Sequence, residues 1–143
     1  MRKSRTILST VLFLVFFLIL PPQFAQNVPP APANPDQEIR SQAIGLIRII
    51  NTAEVSELNS YGSFAAWQTL SAHQAEYINQ CTQDNGIKLG QMPEIFAGWS
   101  LRLNVGADGK GYDLVLRDLN NKQDSYAAYS NEEGVIWEAK PLQ

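Results

Sequence analysis

Between Ile39 and Ser60 the apolar residues recur at helical spacing, and the band they form is too wide for a helix that stands alone. Ile39, Ala43, Leu46, Ile50 and Ala53 follow one another at steps of four, three, four and three, while Ile44, Ile47, Val55 and Leu58 widen the stripe to about half the circumference. Such a stripe suits a helix buried against a sheet, so the rest of the chain must supply that sheet. Asp36 follows a proline and can cap the helix, with Glu38 in its first turn. Tyr61-Gly62 ends it, glycine being the usual residue past a C-terminus. The opposite side carries Ser41, Gly45, Thr52 and Ser56, interrupted by Arg48. It reads as a solvated face, with close approach of a second helix as the alternative.

Glu54 is the odd member, because at 100° per residue it projects within the apolar arc. A carboxylate there must be paired, hydrogen-bonded or pushed out at the edge, and a bond to the following loop is the expected role. Glu57 lies three residues on, near the end expected to fray, so no acid/base pair is expected.

The covering sheet is legible in the C-terminal part. "GWSLRLNVG" alternates Trp99, Leu101, Leu103 and Val105, the period of a strand. "ADGKG" is a turn, with Asp108-Gly109 suited to a tight hairpin. "YDLVLRDL" alternates Tyr112, Leu114 and Leu116 with Asp113, Val115 and Arg117; "NNKQ" turns; "DSYAAYS" is a third strand; "NEEG" turns; "VIWEA" is a fourth. Between helix and sheet, Phe64, Trp67, Leu70, Tyr77 and Cys81 have the spacing of one or two short helices. "IKLGQMPEIFAG" reads as irregular chain with short extended pieces. The expected fold is therefore α+β, a long helix packed on a four-stranded antiparallel meander, over residues 38–143.

The N-terminus has a different character. Arg2, Lys3 and Arg5 precede an apolar run, Ile7–Leu20, that Pro21 and Pro22 end, which matches a secretory signal peptide over residues 1–25. A membrane span needs about 20 residues, longer than this run, and an uncleaved anchor is the alternative. Residues 26–37, "QNVPPAPANPDQ", hold four prolines and form an extended linker. Removal of residues 1–25 takes three of the 11 basic residues, leaving eight against 14 acidic ones, a net charge of −6. An acidic chain without a basic patch argues against nucleic acid and anionic membrane surfaces as partners.

Chemistry-bearing residues are few. Cys81 is the only cysteine and His73 the only histidine. Cys81 reads as a packed small hydrophobe, with a free thiol able to link two copies as the alternative. Eight residues of helix would hold His73 and Cys81 about 12 Å apart, too far for a nucleophile–base couple unless the helix breaks between them. Together they fall short of a zinc set. Trp67, Trp99 and Trp137 are expected in the core. No residue is nominated as catalytic, cofactor-binding or metal-binding.

"AIGLIRIINTAEVSELNSYGSF", with "INTAEV" at 50–55 as its most specific piece, resembles the segment of type IV pilins and type II secretion pseudopilins in which the helix leaves the membrane and enters the globular head. "GWSLRLNVGADGKGYDLVLRD" is similar to the pilin sheet, and "YSNEEGVIWEAKP" to the last pilin hairpin. The similarity covers residues 43–141 and is weakest over 65–97. It implies a pilin-like head. Pilins, however, are cut after a Gly just before a long hydrophobic helix that carries a glutamate five residues into the mature chain. Here Ile7–Leu20 contains no acidic residue, and prolines separate it from residue 43, where a pilin would run one unbroken helix. The resemblance thus implies a head without a spine.

These features lead to the expectation of a non-catalytic exported protein, periplasmic or secreted, that acts through protein partners in the envelope or outside it. Pilus or secretion-system components are among the partners the resemblance implies. The alternative is a small binding or inhibitor module of cystatin-like architecture, although the chain shows no Gln-Val-x-Gly motif or inhibitor-like Gly-rich loop. Some pseudopilins bind calcium through acidic loops, which makes the Asp108–Asp113 turn a calcium candidate beside its plainer reading as a hairpin.

Overall fold

A computed structural model describes residues 35–96, 98–120 and 126–139. The signal-peptide reading and the proline-rich segment up to residue 34 lie outside the described residues. The chain is α+β, with α1 (Pro35–Tyr61), α2 (Trp67–His73) and α3 (Ala75–Asp84) followed by β1 (Glu94–Phe96), β2 (Trp99–Val105), β3 (Tyr112–Asp118), β4 (Ala127–Asn131) and β5 (Ile136–Ala139). The five strands form one antiparallel sheet in sequence order.

Several expectations are corrected. The sheet has five strands, not four: Glu94–Phe96, in the stretch read as irregular chain with short extended pieces, pairs with the start of β2. Its burial is not alternating, because both Ile95 and Phe96 are buried, which hides a three-residue strand from periodicity. The first helix starts at Pro35 rather than Ile39, so residues 35–37 leave the linker, and Asp36 sits inside the first turn instead of capping it. Proline suits that opening position because the first helical N–H groups have no partner within the helix.

α1 runs for 27 residues and buries Ala43, Leu46, Ile47, Ile50 and Ala53 completely. It crosses β3 and β4, which present Leu114, Leu116, Ala128 and Ser130, all fully buried. Burying each large side chain stabilises by about 1.5–3 kcal/mol. Around the start of β2, Trp99 stacks on Phe96 at 5.8 Å and meets Tyr126 edge-on at 5.6 Å. Arg40 of α1 lies 4.9 Å from the Tyr126 ring centroid. Trp99 is thus in the core as expected and Trp67 is partly buried against it, but Trp137 is 43% exposed. The sheet explains the failure: Trp137 pairs with Tyr129 on the side away from α1.

Gly62, with φ +80, ends α1, its N–H bonding to the Leu58 carbonyl at 2.8 Å. The α2–α3 pair then packs back against α1. The small-residue face is only partly solvated: the Tyr77 hydroxyl meets Thr52, and a methyl on Gly45 would sit 3.8 Å from Ile87 Cδ1, whereas Ser41 and Arg48 stay exposed. The β2–β3 hairpin tip docks on the α1–α2 turn. Phe64 N–H donates to the Gly109 carbonyl at 3.0 Å, and Lys110 Nζ to the Gly62 carbonyl at 3.0 Å. Gly109 has φ +65, and a Cβ there would lie 2.8 Å from Ser63 Cβ. Gly109→Ala is therefore expected to destabilise the fold by about 1–3 kcal/mol, read as a lower urea midpoint at unchanged slope.

Candidate functional site

The carboxylates of α1 that sequence singled out lie at its C-terminal end, where the chain turns into α2. Glu54 and Glu57 are both buried, on the side of α1 that the following segment covers. Glu54 Oε2 accepts the Ala65 N–H at 3.0 Å, the expected bond to the following loop. Its second oxygen, Oε1, is buried without a partner. Burial pushes the Glu54 carboxyl up to about 7, with nearby Glu57 adding to the rise and the Ala65 N–H opposing it. Tyr112, facing Glu54 from β3, is pushed up by burial and then by Glu54 and Glu132.

Glu57 is not at a frayed end: α1 continues to Tyr61. Its Oε1 lies 2.7 Å from His73 Nδ1, and its Oε2 accepts from Gln74 Nε2 at 3.2 Å. Tyr61 covers the His73 ring at 4.7 Å between centroids. The two glutamates therefore hold the α2 segment at both ends, Glu54 at its entry and Glu57 at its exit. This is a fastening between consecutive helices: Glu54 Oε2 and both oxygens of Glu57 meet protein partners, and Glu54 Oε1 is buried with none among the described residues.

The helix does break between His73 and Cys81, at Gln74, yet the two do not form a couple. α3 runs back along α1, with Gln74 at the level of Glu57, Tyr77 at Thr52 and Ile87 at Gly45. α3 carries Cys81 away from His73 along that path, six residues or about 9 Å of helix beyond Ala75. Both side chains line one open groove of about 430 Å³ without a hydrogen bond between them. Cys81 is half-buried against the core, and no described cysteine other than it is present.

The Asp108–Asp113 turn borders an open groove of about 500 Å³, also lined by Lys110, Tyr112 and Glu132. Each carboxylate there serves a neighbour: Asp108 accepts Lys110 N–H at 3.0 Å, Asp113 accepts the Tyr129 hydroxyl at 2.7 Å, and Glu132 accepts Tyr112 N–H at 3.4 Å. Among the described residues no group of three His, Cys, Asp or Glu side chains is placed to hold a metal ion.

One polar network escaped sequence reading. Asn51, on the sheet-facing side of α1, donates from Nδ2 to Ser130 Oγ at 2.8 Å and accepts the Tyr112 hydroxyl at 3.0 Å. Ser130 Oγ passes the chain on to the Val135 carbonyl at 2.9 Å. The signal available was an asparagine between Ile50 and Ala53, within the segment "INTAEV".

The remaining feature is the sheet face opposite α1. Arg102, Val115, Tyr129 and Trp137 stand side by side across β2, β3, β4 and β5 in direct register. The Tyr129 and Trp137 rings are 5.3 Å apart at 36°, and the Asp113 bond fixes the phenol in place. Among the described residues nothing covers this row. Comparison of the chain with protein-family models, with curated proteins and with solved structures gives no match in any of the three.

Proposed function

We propose that this chain is a non-catalytic exported protein with a pilin-like head, acting by protein–protein contact in the cell envelope or outside it, with service beside a pilus or secretion pseudopilus as one setting. The observation that carries the contact reading is the open sheet face. Its row of Val115, Tyr129 and Trp137 is apolar and aromatic, and Trp, Tyr and Arg are the residues over-represented where binding energy concentrates. The engagement of Glu54 with the Ala65 N–H and of Glu57 with His73 supports a non-catalytic reading. The similarity of "INTAEV" to pilins, together with the acidic mature composition, supports the family and the exclusion of nucleic acid as partner.

The test is site-specific photo-cross-linking in the producing cells. A cross-linker at Val115 is expected to give a discrete protein adduct that the same group at exposed Thr69 of α2 does not. Mass and N-terminal sequencing of the adduct's soluble, membrane and sheared-filament fractions then reads export. Absence of any adduct from Val115, or identical adducts from both positions, would overturn the contact reading. A chain recovered only from the cytoplasm would overturn export.

A further inference from the structure

We infer that the open sheet face is a docking surface for an acidic segment of a protein partner, with Tyr129 and Trp137 as the apolar anchor and Arg102 and Arg117 as the charge contacts; this rests on the contact reading above. Arg102 stands opposite Val115, and Arg117 lies two residues along β3 from Val115 on the same face. Both arginines are exposed and have no ion-pair partner among the described residues. Of the carboxylates among the described residues of this face, Asp113 accepts the Tyr129 hydroxyl, and Glu94, opposite Ser100 at the β1 edge, accepts the Gly98 N–H at 2.9 Å. The face thus offers two guanidinium groups without an ion-pair partner among the described residues, beside two aromatic rings, on a chain whose overall charge is −3.

The charge arrangement favours a short acidic segment. Two arginines can hold one or two carboxylates through forked hydrogen bonds. A long polyanion would also run over the acidic remainder of the chain, including Glu132 and Glu133 in the β4–β5 turn, and be repelled there. The size of the face sets the strength. Strands about 4.8 Å apart and about 3.4 Å per residue give roughly 400 Å² on this side, half of what a stable interface contributes per partner. Binding is therefore transient, with a Kd on the order of micromolar.

The test pans a display library of random twelve-residue peptides against the full chain, followed by titration of the enriched peptides as synthetic probes. Three variants are compared: Trp137→Ala, the double variant Arg102→Glu/Arg117→Glu, and a control, Lys88→Glu, beyond the sheet. All these side chains are exposed, so melting temperatures close to wild type are expected and show that each variant folds. Enriched peptides rich in Asp and Glu are expected, weakened at least tenfold by the double arginine variant and by Trp137→Ala, unaffected by Lys88→Glu, and weakened by salt. Neutral or basic peptides that need Trp137 would overturn the acidic partner while leaving the contact reading in place. Acidic peptides indifferent to all three variants, or no enrichment at all, would overturn this face as the site, and the Val115 cross-link would then decide the contact reading separately. Arginine-dependent binding of a uronic-acid polysaccharide in place of peptides would overturn the protein partner.

Discussion

Asn51→Ala, on the sheet-facing side of α1, is expected to lower stability by about 2–4 kcal/mol. Asn51 is 8% exposed and bridges α1 to two strands, through Tyr112 of β3 and Ser130 of β4. Truncation leaves the buried Tyr112 hydroxyl without its acceptor, which costs about 1–3 kcal/mol, and opens a small cavity beneath fully buried Ser130. Ser130 keeps one bond, to the Val135 carbonyl, which limits the loss on that side. Urea unfolding of Asn51→Ala, Tyr112→Phe and the double variant isolates the bridge. A coupling of about 1–2 kcal/mol is expected, because the second truncation removes a group already stranded by the first. Additivity within about 0.5 kcal/mol would mean that the hydrogen bond contributes nothing beyond packing. Asn59→Ala, at an exposed position on the last turn of α1, serves as the neutral control.

Glu54→Gln is expected to stabilise the protein at pH 8 and to change little at pH 5. Burial raises the folded-state value of Glu54 from its ordinary 4.5 to about 7, so the folded protein holds a proton that the unfolded chain has already released between those values. Where the native state binds more protons, stability falls as pH rises. The contribution is therefore fully present below about pH 4.5 and lost as pH passes through about 7. A rise from 4.5 to about 7 corresponds to about 3 kcal/mol between the two ends of the window. Glutamine keeps an oxygen for the Ala65 N–H and removes the charge, so it frees the protein from that loss. Melting curves from pH 4.5 to pH 8.5 check this. The wild type should weaken across the window while the variant stays flatter, and parallel profiles would show that another group governs the response. The groups facing Glu54 are Glu57 on its own helix and Tyr112 on β3. Glu57→Gln run alongside separates their effects.

The two glutamates also show why sequence reasoning reached one and missed the other. Glu54 stood out because a single carboxylate broke an apolar arc, and its bond to Ala65 N–H is the loop contact that such an exception calls for. Glu57 fell close to the expected end of the helix, where periodicity carries little information. Its burial depends on α2 turning back so that His73 and Gln74 come over it, sixteen and seventeen residues later in the chain. Local pattern cannot anticipate a cover that arrives from so far along the sequence.

Trp137 teaches a related lesson. Alternation in "VIWEA" identifies a strand and two faces but does not say which face meets the helix. In β2 and β3 the more apolar set faces α1, whereas β4 turns Ala128 and Ser130 inward and Tyr129 outward. In β5 Ile136 is partly buried against the core while Trp137 faces outward beside Tyr129. Register with β4, set by the turn between them, made that choice. The extra strand at Glu94–Phe96 arose for the same reason, because pairing with β2 rather than any propensity of its own made it a strand.

By itself, then, the amino-acid order determined the long helix, its end at Gly62, the alternating strands and hairpin turns, and hence the α+β class, since these follow from periodicity and backbone preference within a few residues. Tertiary structure alone decided where the polar groups found partners. The Asn51 bridge, the Glu57–His73 bond and the outward row of Arg102, Val115, Tyr129 and Trp137 each join residues far apart in the chain or on different strands. The physical reason is that burial and hydrogen bonding depend on what packs above a side chain. A single sequence specifies that only through the whole fold.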